Sequence, residues 1–201
     1  MKVLLVIDVQ NGFCRYRQTK EMAKKIASLT QSKAFDFIIC SKFVNTADSQ
    51  YVKLLNWNKL TSSPEIDLFK GLHFDKVIEK HVYSCLTEEF LEVLKEINNN
   101  TMPESIYICG MDTDCCVLKT AADLFEVGIR PIVLKNYCAS NGGKDSHKAA
   151  LKVMEKGENI FLSGAAGTGK SAVLHEYIRR HSSGKVLVCA PTGIAAVNVG
   201  G

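Results

Sequence analysis

Three residues far apart in the chain, Asp8, Lys80 and Cys116, each come at or after the end of an apolar run that reads as a strand. A carboxylate, an ammonium and a thiol brought together can perform covalent acyl chemistry. The carboxylate takes the thiol proton, the ammonium holds the thiolate by charge, and a helix N-terminus can stabilise an oxyanion. Cys116 lies in SIYICGMDTDCCVLKTAADLFEV, from Ser105 to Val127. There Ile106 to Cys109 reads as a buried strand that Gly110 ends. Thr113 and Asp114 offer N-cap chemistry for a helix beginning near Cys115, and Val117, Ala121, Leu124 and Phe125 follow at helical spacing. Unpaired backbone N–H groups and the helix dipole favour an anion there, so the thiol is expected to tend toward thiolate. Cys115 reads as a packing neighbour, and Cys40, Cys109 and Cys189 as structural thiols. His81 and His147 read as surface or loop histidines.

A second chemistry lies at 164–171, GAAGTGKS, after an apolar stretch (Asn159 to Ser163) and before a helical pattern (Ala172 to His181). In such a P-loop Gly164, Gly167 and Gly169 let backbone N–H groups curl around phosphate. Lys170 would reach the β- and γ-phosphates, and Ser171 would hold magnesium. Lys185 to Cys189 reads as one more strand. No acidic strand-end motif, arginine finger or second motor domain follows, so nucleotide hydrolysis is not expected from this segment.

These residues need a scaffold of alternating strands and helices. Lys2 to Asp8 is apolar on both faces, as in the interior of a parallel sheet. A helix is expected over Glu21 to Leu29 and a strand over Phe35 to Val44. Thr46 to Ser63, with Trp57, reads as an irregular cover, and a third strand ends at Lys80. Thr87 caps a helix running through Ile97, with Glu88 and Glu89 in its first turn. A fifth strand is expected over Arg130 to Leu134 and a helix over Asp145 to Lys156. The pattern predicts a three-layer α/β/α, doubly wound, mostly parallel six-stranded sheet, with working residues beyond the carboxyl ends of its strands. Asn159 to Ser163 is expected to complete that sheet, leaving 164–201 as an appendage.

With 201 residues, 46% hydrophobic and 23% charged, the composition is that of a globular protein. A net charge of +4 is too mild to argue for nucleic acid or membrane. The eight cysteines show no disulfide spacing, MKVLLVIDVQ lacks a signal-peptide cleavage site, and reduced thiols in the cytoplasm are expected.

GMDTDCCVLKTAADLFEVG resembles the signature of isochorismatase-like cysteine hydrolases, and VIDVQNGF, VIEKHVYS and Asn136 to His147 resemble further segments of that family, in order over roughly residues 1–156. The resemblance implies that Cys116, which directly precedes Val117, is the nucleophile, with Asp8 as general base and Lys80 as third member of the triad. It also implies a non-proline cis peptide joining Met111 to Asp112, with backbone N–H groups around Met111, Asp112 and Cys115 forming the oxyanion hole. Nicotinamidases of this family bind a metal through histidines after strand two. KFVNTADSQYVKLLNW has none, so no metal is expected, and Phe13, Asn45, Trp57 and Tyr83 are expected to line the pocket. FLSGAAGTGKSAVL with VLVCAPTGIAAVNVGG is similar to the first two motifs of Pif1-type helicases.

Residues 1–156 thus read as a hydrolase of small amides or related C–N compounds acting through a Cys116 thioester, needing no cofactor and forming homo-oligomers. Residues 157–201 read as a truncated helicase segment, with weak ATP and magnesium binding as its cofactor expectation and no nucleic-acid partner. Two other readings stand beside this one. One is a nucleotide-binding module on a hydrolase scaffold, the other an inactive fusion product.

Overall fold

The computed structural model describes residues 1–156 and 161–163. Its strands are β1 (Val3–Ile7), β2 (Phe37–Phe43), β3 (Lys76–Lys80), β4 (Ser105–Gly110), β5 (Arg130–Cys138) and the short β6 (Phe161–Ser163). Between them lie α1 (Arg17–Thr30), α2 (Gln50–Leu55), α3 (Glu88–Ile97), α4 (Leu118–Glu126) and α5 (Gly143–Lys156). β1 to β5 pair in parallel in the order β3-β2-β1-β4-β5, and β6 stands next to β5. The described residues form one compact unit to Leu162, and a second unit, Ser163–Gly201, lies outside them apart from Ser163. The P-loop, the expected helix at 172–181 and the expected strand at 185–189 therefore lie outside the described residues.

The period of two in β1 sorts the core. Val3, Leu5 and Ile7 join Ile106, Ile108, Phe90, Leu94, Leu124 and Met154 on one face of the sheet. Leu4 and Val6 join Ile38, Cys40, Cys109 and Ile26 on the other. Helices α3, α4 and α5 thus cover one face and α1 the opposite one, giving the three layers expected. No helix among the described residues is long and apolar enough to cross a membrane.

Several boundaries moved. α1 starts four residues before Glu21 because Thr19 closes a box with the backbone of Tyr16. The stretch expected to be irregular contains α2, started by Ser49, whose hydroxyl accepts from the N–H of Val52 at 3.3 Å. After β4 the chain makes a π-helical turn, Thr113–Val117, before α4. Val117 N–H reaches back to Asp112 O at 3.1 Å. The expected cap is overturned here: neither Thr113 nor Asp114 caps this helix, because Asp112 occupies the N-cap position and its side chain makes no cap bond.

Sheet order sets the site. The chain reverses direction of winding between β1 and β4, and Ile7 stands opposite Gly110 there. Gly110 has φ +129, and a Cβ on it would lie 2.1 Å from Ile7 O. The missing side chain lets Met111 N–H bond Ile7 O at 2.9 Å, tying the nucleophile loop to the residue before Asp8. Gly110→Ala is expected to cost more than about 3 kcal/mol by urea unfolding, from clash and backbone strain together. A loss under about 1 kcal/mol would show that the strands can part without penalty.

Candidate active site

Asp8 is the first residue past β1 and is fully buried, at φ +50. Ser41 of β2 holds it twice: its hydroxyl donates to Asp8 Oδ1 at 2.6 Å and accepts from Asp8 N–H at 3.1 Å. Lys80, the last residue of β3, extends across β2 so that its Nζ lies 2.7 Å from Asp8 Oδ2. Neither side chain is exposed. The ammonium also donates to the carbonyls of Val82 at 2.9 Å and Tyr83 at 3.1 Å, and stands 5.2 Å from the centre of the Phe43 ring. It also donates to Cys116 Sγ at 3.6 Å, with Asp8 as its ion-pair partner.

The three residues singled out in the sequence therefore meet. Their ionisation departs from expectation. Burial pushes the Cys116 thiol well above its ordinary range, and the adjacent Asp8 carboxylate adds to this more than Lys80 offsets it. The shift runs against the expected drift toward thiolate, because the residue is only 3% exposed. For Lys80, burial pulls the ammonium down, but neighbouring negative charge, the Asp8 carboxylate first, more than reverses this, so it stays charged.

The peptide joining Met111 to Asp112 is cis, where the resemblance placed it. The N–H groups around it are largely committed. Met111 donates to Ile7 O, Thr113 to Ala139 O at 3.0 Å, and Cys115 to Asp112 O at 3.1 Å. Of the three residues expected to form the oxyanion hole, Met111 and Cys115 are thereby removed as donors.

Cys116 opens into a cavity of about 300 Å³ whose floor is Cys115, Cys116, Asp112 and Asn141. Phe13, Trp57 and Tyr83 line it as expected. Phe13 and Trp57 stack with centroids 6.4 Å apart, while Tyr51 meets Phe43 and Tyr83 edge-on at 5.2 and 5.1 Å. Asn45 does not line it. Its amide donates to Trp57 O and Lys59 O and accepts from Ser49, so it braces the cover loop instead. Sequence reasoning missed Arg15, Phe43, Tyr51, Leu55 and Asn141 on the wall. The Ser49 cap ahead of Tyr51 and Leu55 was the one signal that could have found α2. It also missed His147, which is half-buried and bonds Thr113 Oγ1 through Nδ1 at 2.8 Å. The segment after β2 does not fit a metal: Asn45 is spent, Asp48 is exposed, and no group of three metal-ligating side chains comes together among the described residues.

Lys80→Met leaves the Asp8 carboxylate buried without its cation and is expected to cost about 3–5 kcal/mol by chemical denaturation. Adding Asp8→Asn should recover much of that loss. A single variant as stable as the parent would mean that solvent reaches the pair.

Comparison with known proteins follows the same division of the chain. Residues 2–166 match the isochorismatase domain, and residues 145–201 match the PIF1-like helicase family. Isochorismatase family protein 2A of Dictyostelium discoideum is 27% identical over 161 residues, covering 80% of this chain and 76% of that one. The ATP-dependent DNA helicase PIF1 of Saccharomyces cerevisiae is 45% identical over 58 residues, but these are 27% of this chain and only 7% of the helicase. Among solved structures, a nicotinamidase from Bacillus subtilis (TM-score 0.66, 20% identity, 81% of this chain and 98% of that one) shares the fold. So does an N-carbamoylsarcosine amidase from Thermoplasma acidophilum (TM-score 0.64, 18% identity, 82% and 96%). With residues 2–166 matched in this way, the chain belongs to the isochorismatase family of hydrolases and carries a PIF1-like helicase fragment at its C-terminal end.

Proposed function

We propose that residues 1–156 form a cysteine hydrolase that cleaves the C–N bond of small amides or ureido compounds. The observation that carries this reading is the buried Asp8–Lys80 pair set against Cys116 at the floor of an aromatic cavity. Two structures of this fold are named for amides, which supports the same class.

Because the resting sulfur is protonated, attack and proton transfer go together. Asp8 takes the Cys116 proton as sulfur bonds the carbonyl carbon, and Lys80 stabilises the charge on both partners. With Met111, Thr113, Cys115 and Val117 N–H groups committed, the backbone N–H groups of the cavity-lining Asp112 and Cys116 are the oxyanion donors in this reading. Collapse of the tetrahedral adduct breaks the C–N bond, and Asp8 returns its proton to the leaving nitrogen. Water then attacks the thioester, giving up a proton through Asp8. The acid product leaves and the thiol is restored. The cycle draws only on side chains, backbone and water.

A panel of small primary amides and ureides, with product ammonia measured and the enzyme quenched for intact-mass analysis, tests this. Turnover with an acyl adduct on Cys116 is expected, with a loss of roughly 10³-fold or more in Cys116→Ser. Full activity in Cys116→Ser, or an adduct that maps to Cys115, would remove the assignment.

The helicase match favours a second reading of the C-terminal end. In that reading Gly164, Gly167, Gly169, Lys170 and Ser171 bind phosphate of ATP with magnesium.

A further inference from the structure

The cavity floor beside Cys116 carries two side-chain acceptors that no donor among the described residues meets. Asp112 Oδ1 accepts from both the backbone N–H of Asn141 at 2.9 Å and its side-chain amide at 2.7 Å. A carboxylate only accepts, so the Asn141 nitrogen must face it and the Asn141 oxygen must point elsewhere. That oxygen is buried with no hydrogen-bond partner. Asp112 Oδ2 likewise receives no protein donor among the described residues, and both side chains line the cavity that Cys116 opens into. A buried acceptor left unpaired is costly, and Asn141 Oδ1 is one, with the second free acceptor, Asp112 Oδ2, beside it on the cavity floor.

We propose that Asp112 and Asn141 form a subsite that reads N–H groups on the reacting carbonyl, selecting primary amides and ureido compounds over esters and fully substituted amides. A carbonyl –NH₂ carries two N–H donors, one for each free acceptor, whereas an ester oxygen offers only lone pairs. The subsite rests on the Cys116 acyl-transfer reading and adds to it the identity of the group that leaves.

The charged and titratable neighbours reinforce the demand for a donor. Burial pushes the Asp112 carboxyl up to about 6, the two Asn141 bonds pull it back, and Asp114 and Asp8 raise it further. Cys14, Cys115 and Tyr83 also face it, and each is raised in part by its charge. Arg15 lines the same cavity from an exposed position and makes no ion pair with it. At neutral pH Asp112 is therefore a carboxylate without a cation. Below about 6 it takes up a proton and its acceptor strength falls.

Alkylation of Cys116 by three small reagents tests this on the full chain: 2-chloroacetamide, its N,N-dimethyl analogue and methyl chloroacetate. In each the thiolate displaces chloride, and each rate, mapped to Cys116 by peptide mass spectrometry, is divided by the rate with glutathione. The corrected preference for chloroacetamide over the ester is expected to be roughly tenfold or more. It should fall toward unity in Asn141→Leu and in Asp112→Asn, and fall with pH through about 6 in the parent but not in Asp112→Asn. Taking a ratio cancels the ionisation of Cys116 itself. A corrected ratio near unity in the parent, or one that neither substitution changes, overturns the subsite. Discrimination against the dimethyl amide but not the ester is steric and also overturns it. Cys116 labelled by none of the reagents would instead overturn the acyl-transfer reading beneath it.

Discussion

The architecture depends on keeping one ammonium charged where water does not reach. An ammonium in a protein interior costs several kcal/mol unless its donors are satisfied and a carboxylate stands against it. The chain meets both conditions for Lys80 with Asp8 and the carbonyls of Val82 and Tyr83, under the face of Phe43. Because Asp8 ends β1, Lys80 ends β3 and Ser41 comes from the strand between, these strands must lie side by side in one register. The same pair acts on Cys116: burial and the Asp8 carboxylate raise its thiol, and Lys80 offsets part of that rise.

Cys116 is delivered from the other side of the switch point. Gly110 allows β4 to close onto Ile7, the chain turns through Met111 and Asp112, and a π-helical turn then sets Cys116 at the floor of the cavity. Opposite it, α2 folds Tyr51 over Phe43 and Tyr83, so the site is walled by rings and floored by polar groups. In the proposed acyl transfer this division would place a small planar substrate with its reactive carbonyl down. His147 of α5 links the turn to the last described helix through Thr113.

The two family matches overlap over residues 145–166, which takes in most of α5 and all of β6. In α5, Ala150 and Met154 belong to the hydrolase core. The element that begins the helicase match therefore also covers the hydrolase sheet.

The strand–helix alternation, the parallel sheet and the positions of Asp8, Lys80 and Cys116 at strand ends were legible in the chain itself. Short apolar runs, breaker residues and a motif of fixed spacing are local signals that need no partner to be read. Ser41, Tyr51, Arg15 and Asn141 carried no such signal, since each matters through what lies across from it. The same holds where expectation failed. Asn45 is claimed by the cover loop, the Met111 and Cys115 N–H groups by other backbone, and Thr113 by His147. Spacing along the chain established which groups exist at the sheet edge. Only the packing of β1 to β5 with α2 and α5 decided which face water, which face one another, and which proton the nucleophile keeps, because burial and hydrogen bonding are properties of neighbours that the sequence places far apart.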